Sequence, residues 1–309
     1  MKKIGTSNLE VSELCLGGNT FGWTASAEES FAVLDRFVEA GGNIVDTADV
    51  YSRWKPGNVG GESETILGAW MKERGNRSRI MIATKVGFSP ARPGLSAANI
   101  KAAMEESLQR LQSDYIDLYY AHTDDPNTPL EETLETFNEL VLAGKVRYIG
   151  ASNYNQDRLA EALRISKAHG WASYVAFQPH FNLLEQGNFP EGYRAFCVSE
   201  EVGVLPYYGL AAGFLTGKYS PGGVQVESAR SAGVQKYAND RGWATLAKLR
   251  EIAEGHKTTM AAVALAWLRQ QESIVAPIAS ARVVDQLADF LPTPILSSQE
   301  LADLTKAGT

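Results

Sequence analysis

From about residue 14 to residue 290, short apolar runs rich in β-branched and aromatic residues alternate with longer stretches whose apolar positions recur every three or four residues. The first pattern is that of strands, and the second that of helices with one buried stripe. Eight runs read as strands: 14–18, 43–47, 80–86, 116–122, 146–151, 174–179, 203–208 and 274–279. Helices are predicted at 26–40, 61–74, 96–111, 130–143, 155–169, 191–201, 258–270 and 283–290, with an extra one near 242–254. Ser96 and Thr258 stand where helix N-caps belong. Near-continuous apolar strands need cover on both faces. Eight strand–helix pairs therefore predict an α/β fold, the (β/α)8 or TIM barrel, as one domain over 1–309. A doubly wound open sheet is the alternative arrangement of the same elements.

Two segments lie outside the alternation. The start, "KKIGTSNLEVSE", reads as two short strands around a turn that plug the lower end of the barrel. The segment 209–241 after strand seven is long, rich in glycine and without an evident core stripe. A loop of that length is usually functional.

Charge and cysteine content narrow the setting. A net charge of −7 repels nucleic acid and anionic membranes, so neither is an expected partner and any anion site must be local. No run approaches the length of a membrane span, and the first residues lack the apolar core of a signal peptide. Cys15 and Cys197 are too few for a disulfide framework and sit in apolar sequence, so a reducing cytoplasm is expected. Oligomeric state has no signature in the sequence.

In such barrels chemistry gathers at the C-terminal ends of the strands, so polar residues that terminate apolar runs are the ones to collect. Strand two ends at Asp46, with Tyr51 beyond it; strand three ends at Lys85 and strand four at His122. Singly, each has a structural reading: a cap, a snorkelling amine, a wet phenol, a core imidazole. Together they form a proton-transfer set. Asp46 would keep Lys85 charged, Lys85 would lower the phenol pKa of Tyr51, and His122 would orient a carbonyl oxygen. That set suits carbonyl reduction, with hydride arriving at carbon and Tyr51 protonating oxygen.

The motifs "DTADVY", "ATK", "YYAH", "GASNY" and "GKY", in this order, resemble the aldo-keto reductase superfamily over nearly the whole chain. The resemblance implies a barrel without a Rossmann fold, reduction of aldehydes and ketones with NADPH or less often NADH, and a catalytic tetrad of Asp46, Tyr51, Lys85 and His122. It further implies that Ser152, Asn153 and Gln178 hold the nicotinamide carboxamide, and that Tyr207 stacks on the ring. Gly209, Leu210, Gly213 and Leu215 would offer backbone to phosphate, with Lys218 in the "GKY" position. Tyr208-Gly209-Leu210 replaces the family's common Ser-Pro-Leu. Ser280, Arg282 and Gln286 fall at the adenosine end, where Arg282 and a helix start near Val283 favour the 2′-phosphate of NADPH over NADH. Phe290 replaces a usual asparagine.

Trp23, Trp54 and Phe88 cluster beyond the same strand ends as candidate substrate walls. Two other functions are weighed. One is a nicotinamide-binding redox sensor or regulatory subunit with little turnover. The other is a metal hydrolase, disfavoured because histidines 122, 169, 180 and 256 show neither His-x-His nor HExxH spacing; no metal is expected.

Overall fold

The computed structural model describes residues 1–221, 231–291 and 294–309. Eight parallel strands curl into a barrel: Cys15–Gly17, Ile44–Asp46, Met81–Val86, Ile116–Ala121, Val146–Ser152, Tyr174–Gln178, Gly203–Val204 and Ile278–Ala279. Neighbours follow chain order, and the eighth pairs with the first. Between the seventh and eighth the ladder is reduced to single bonds, Val204 N to Ser273 O at 3.1 Å, Val275 N to Val204 O at 2.9 Å and Ile278 N to Pro206 O at 2.9 Å. These two strands are shorter than the sequence predicts. Pro206 and Pro277 carry no N–H to donate, which interrupts both expected runs.

Side-chain alternation along the strands explains which residues reach the interior. Ile44, Ala83, Leu118 and Tyr120 pack inside the barrel, while Val45, Ile82 and Tyr119 join the core beneath the helices. Counting on by two from the interior residues places Asp46, Lys85 and His122 at the top of the barrel.

The lower end is closed by the expected hairpin, Lys2–Lys3 paired antiparallel with Glu10–Val11. Its Ile4, Leu9 and Val11 belong to the interior cluster. Gly5 has φ +49°, and a Cβ there would lie 2.4 Å from the Val175 carbonyl oxygen, so the turn needs glycine to seat against the barrel. Lys2 locks the plug by donating to the Arg269 and Ile274 carbonyls at 3.1 and 2.9 Å.

All the predicted helices form, most of them with bounds shifted by one or two residues. The first, Ala27–Glu39, carries a full capping box, in which Glu29 N donates to Ser26 Oγ at 3.2 Å and Ser26 N to Glu29 Oε2 at 2.8 Å. The cap of Met260–Arg269 is Thr259 rather than Thr258; Ala262 N donates to its Oγ1 at 3.0 Å. Residues Ala261 to Leu268 of that helix are all buried, because it is covered outside by Asp240–His256 and by a C-terminal helix Ser298–Ala307.

Two features were not legible in the pattern. A small hairpin, Phe88–Ser89 with Arg92–Pro93, rises after the third barrel strand. The long segment after strand seven does hold core residues: Leu210, Ala211, Phe214, Leu215, Val234 and Tyr237 are buried, and Phe214 packs with Tyr219, Tyr237 and Trp243. Its aromatic spacing follows turns instead of one helix, so no single periodicity reveals it. The central part of that segment, 222–230, falls outside the described residues. Among the described residues no helix is long and apolar enough to cross a membrane.

Candidate active site

The upper end of the barrel holds a cavity of about 710 Å³, within the range of small-molecule sites. Asp46 and Tyr51 line its floor, and Lys85 lies just beneath them, fully buried. The Lys85 ammonium donates to Asp46 at 2.7 Å, to the Thr47 carbonyl at 2.7 Å and to the Tyr51 hydroxyl at 2.9 Å. All three of its protons are thereby used. Tyr51 OH in turn donates to Asp46 Oδ2 at 3.0 Å, and Gln178 Nε2 to Asp46 Oδ1 at 2.8 Å. The acid ends its strand because three donors converge on it.

His122 stands across from the phenol, ring centroids 6.2 Å apart, and lines the same cavity. Burial and then the Lys85 charge push its pKa well below the usual imidazole value, so it is neutral at neutral pH. Its buried Nδ1 has no hydrogen-bond partner among the described residues.

The electrostatics correct one expectation. The Tyr51 pKa is raised well above 10.0, first by burial and then by the Asp46 charge and hydrogen bond. The ammonium does not overcome these, since its own pKa is pulled down from 10.5 by burial while Asp46 pulls it back. The phenol therefore keeps its proton firmly in the free protein.

The residues expected at a nicotinamide are gathered on the next strand ends, already bonded to one another. Ser152 Oγ donates to the Gln178 carbonyl at 2.8 Å, and Asn153 Nδ2 to the His122 carbonyl at 2.9 Å. Tyr207 OH donates to Asn153 Oδ1 at 2.8 Å while His180 stacks on the Tyr207 ring, centroids 5.2 Å apart. Asn153, Tyr208, Ala211 and Ala212 all have positive φ, a strained backbone that gathers at binding sites. Gly209, Leu210, Gly213 and Lys218 line the cavity from the turn that follows.

Leu215 does not reach the cavity. Its side chain is fully buried, and its amide donates to the Leu210 carbonyl at 3.2 Å. Gly213 N is committed to the same carbonyl at 2.8 Å.

At the far end Ser280, Arg282, Gln286, Asp289 and Phe290 line the cavity. Ser280 Oγ donates to Asn19 Oδ1 at 2.7 Å, and Arg282 N to Gln286 Oε1 at 2.9 Å. The helix expected near Val283 is only Val284–Ala288, too short for a strong terminal dipole.

At the near end Trp54 and Phe88 stand exposed along the cavity rim, and Phe88 lies 5.2 Å from the His122 ring. Trp23 lies behind this wall, edge-on to Trp54 at 5.5 Å, and is not itself among the lining residues. Two residues escaped the sequence reading. Asp49 sits behind Lys85 with a buried Oδ1 that has no hydrogen-bond partner among the described residues, and burial plus the nearby Glu64 raise its pKa to about 7. Arg53 lines the rim; as one charge in a turn it gave no pattern to find. Among the described residues no group of three or more His, Cys, Asp or Glu residues is placed to hold a metal.

An eight-stranded barrel with Asp, Tyr, Lys and His at one mouth defines an oxidoreductase class, and comparison with known proteins agrees. The profile of the Aldo/keto reductase family matches residues 13–308, and the chain belongs to that family. Similar proteins include norsolorinic acid reductase stcV of Emericella nidulans, 34% identical over 91% of this chain and 73% of its own. Protein tas of Escherichia coli is 33% identical over 92% of this chain and 90% of its own. The uncharacterized oxidoreductase YrpG of Bacillus subtilis is 33% identical over 93% and 89%.

Proposed function

We propose that this chain reduces aldehyde or ketone carbonyls with NADPH, Tyr51 being the proton donor. The observation that carries the proposal is the Lys85 N–H held 2.9 Å from the Tyr51 oxygen on the floor of a cavity that His122 also lines. A nicotinamide cofactor fits the residues present. The cavity is long, carries amides and a hydroxyl near the tetrad, and has Lys218 and Arg282 further along. Bound, it would supply the hydride that reaches the carbonyl carbon.

The chain's own residues supply the rest. Neutral His122 donates a hydrogen bond to the carbonyl oxygen and so sets its orientation. Tyr51 must turn its O–H from Asp46 toward that oxygen. As the proton leaves, the Lys85 N–H stays on the phenolate and Asp46 balances the ammonium. The raised phenol pKa means that Tyr51 is protonated at neutral pH and ready to act as an acid. Ser152, Asn153 and Gln178 are assigned to the carboxamide, Tyr207 to the ring, the 209–213 turn with Lys218 to the diphosphate, and Ser280, Arg282 and Gln286 to the adenosine end, with Arg282 at the 2′-phosphate.

The test follows absorbance of the reduced nicotinamide with NADPH and with NADH over a panel of aldehydes, ketones and sugars. Tyr51→Phe should slow turnover about 10²–10⁴-fold, the usual contribution of a general acid, with NADPH binding retained. Undiminished turnover would remove Tyr51 from the mechanism. Tight NADPH binding with no oxidation across the panel would favour a sensor.

A further inference from the structure

Resting on the reductase reading, we infer that the substrate mouth selects carbonyl compounds that carry an anionic group, and that Arg53 is the residue that binds it. The turn bearing Arg53 is built, not loose. Ser52 is buried in a left-handed conformation, φ 72°, and its Oγ donates to the Phe21 carbonyl at 2.6 Å. Asn58 Nδ2 donates to the Ser52 and Gly22 carbonyls at 2.9 and 3.1 Å, and Arg53 N to the Val50 carbonyl at 3.2 Å. Two residues after the proton donor, the chain is thus pinned so that Arg53 and Trp54 face the cavity.

The guanidinium is uncommitted. Among the described residues it has neither a hydrogen-bond nor an ion-pair partner, whereas Arg74, Arg77, Arg110 and Arg158 all have carboxylate partners. Its neighbours along that end of the cavity, Thr24, Val50, Trp54, Phe88 and Pro90, carry no charge. Asp46 is already engaged by Lys85, Tyr51 and Gln178, and Asp289 belongs to the far end with Arg282. In a chain of net charge −7, an unpaired cation beside flat aromatic walls is a local reversal of sign. A planar fork matches a carboxylate by two parallel hydrogen bonds, and Trp54 and Phe88 suit an aromatic ring between that group and the carbonyl.

The probe pair is 4-carboxybenzaldehyde and its neutral methyl ester, methyl 4-formylbenzoate, with wild type, Arg53→Met and Arg53→Lys. Arg53 is exposed and leaves the tetrad untouched, so the variants should fold as wild type does. We expect kcat/KM to favour the carboxylate about tenfold in wild type, the lower range for a partly exposed charged hydrogen bond. Arg53→Met should erase the preference through KM with the ester rate unchanged, and Arg53→Lys should keep part of it. Added salt should shrink it as well. Binding is read independently by quenching of tryptophan fluorescence, since Trp54 adjoins the site. Equal kinetics and equal quenching for both probes, or equal loss on both in Arg53→Met, would overturn the anion site. Quenching by the carboxylate that depends on Arg53, in a protein that oxidises no NADPH with either probe, would uphold this site and defeat the reductase reading instead.

Discussion

At the residue scale the behaviour of the site turns on how few charges are left uncompensated below its floor. Lys85 has Asp46, Thr47 and Tyr51, but behind it Asp49 shares its surroundings with Glu64, which Arg110 and Thr84 already occupy at 2.7 and 2.5 Å. With its pKa at about 7 against an ordinary 3.8, Asp49 holds its proton more tightly folded than unfolded. Between those values the native state holds the extra Asp49 proton, so the contribution of Asp49 to stability falls as pH rises from about 4 to about 7, by no more than roughly 1.4 kcal/mol per unit, while the lowered imidazoles of His122 and His180 act in the opposite sense. Asp49→Asn should remove that contribution, so the variant gains stability relative to wild type between pH 5 and pH 8, as read by melting temperature. An unchanged slope would place the titration elsewhere. The residues of the tetrad were legible because a polar residue ending an apolar run is conspicuous. Asp49 and Arg53 were not, since a charge in a polar turn is the ordinary case until its neighbours in space are known.

Elements are set mostly by local chemistry. Ser96 serves as a cap where the sequence places it, and the capping box at Ser26 anchors the helix after the first barrel strand. Ser26→Ala should cost about 1 kcal/mol in chemical denaturation, the usual worth of an N-cap, with activity retained. A loss near zero would show that packing of Val33, Leu34 and Phe37 alone decides this helix. The boundary errors have local causes too. Thr258 and Thr259 are adjacent and chemically alike, so only the bond to Ala262 N tells which one caps. In the turn after strand seven, Tyr208, Ala211 and Ala212 adopt positive φ although none of the three is glycine, which no propensity argument anticipates. It forms because Phe214 and Leu215 are drawn into the core behind it.

For the molecule as a whole, one end of the barrel is sealed and the other is open. The hairpin plug joins Ile4, Leu9 and Val11 to the buried cluster of Ile44, Leu118 and Val175, so the interior below the tetrad is filled with apolar side chains. Leu9→Ala should cost about 2–5 kcal/mol by cavity formation while leaving kcat of the folded protein unchanged, because the plug and the site lie at opposite ends. A parallel fall in kcat would mean that the plug sets the position of the strands bearing the tetrad.

Residue order alone determined the alternation of strands and helices, the hairpin at the start, and the acid, phenol, amine and imidazole at successive strand ends, because side-chain period and chain-breaking residues act over a few neighbours. Only the tertiary structure decided which way the phenol pKa moves, that Leu215 turns inward, that Trp23 stands behind Trp54, and that Arg53 has no carboxylate partner among the described residues. Burial and the distance between charges depend on segments far apart in the chain, and those are set only once the barrel has closed.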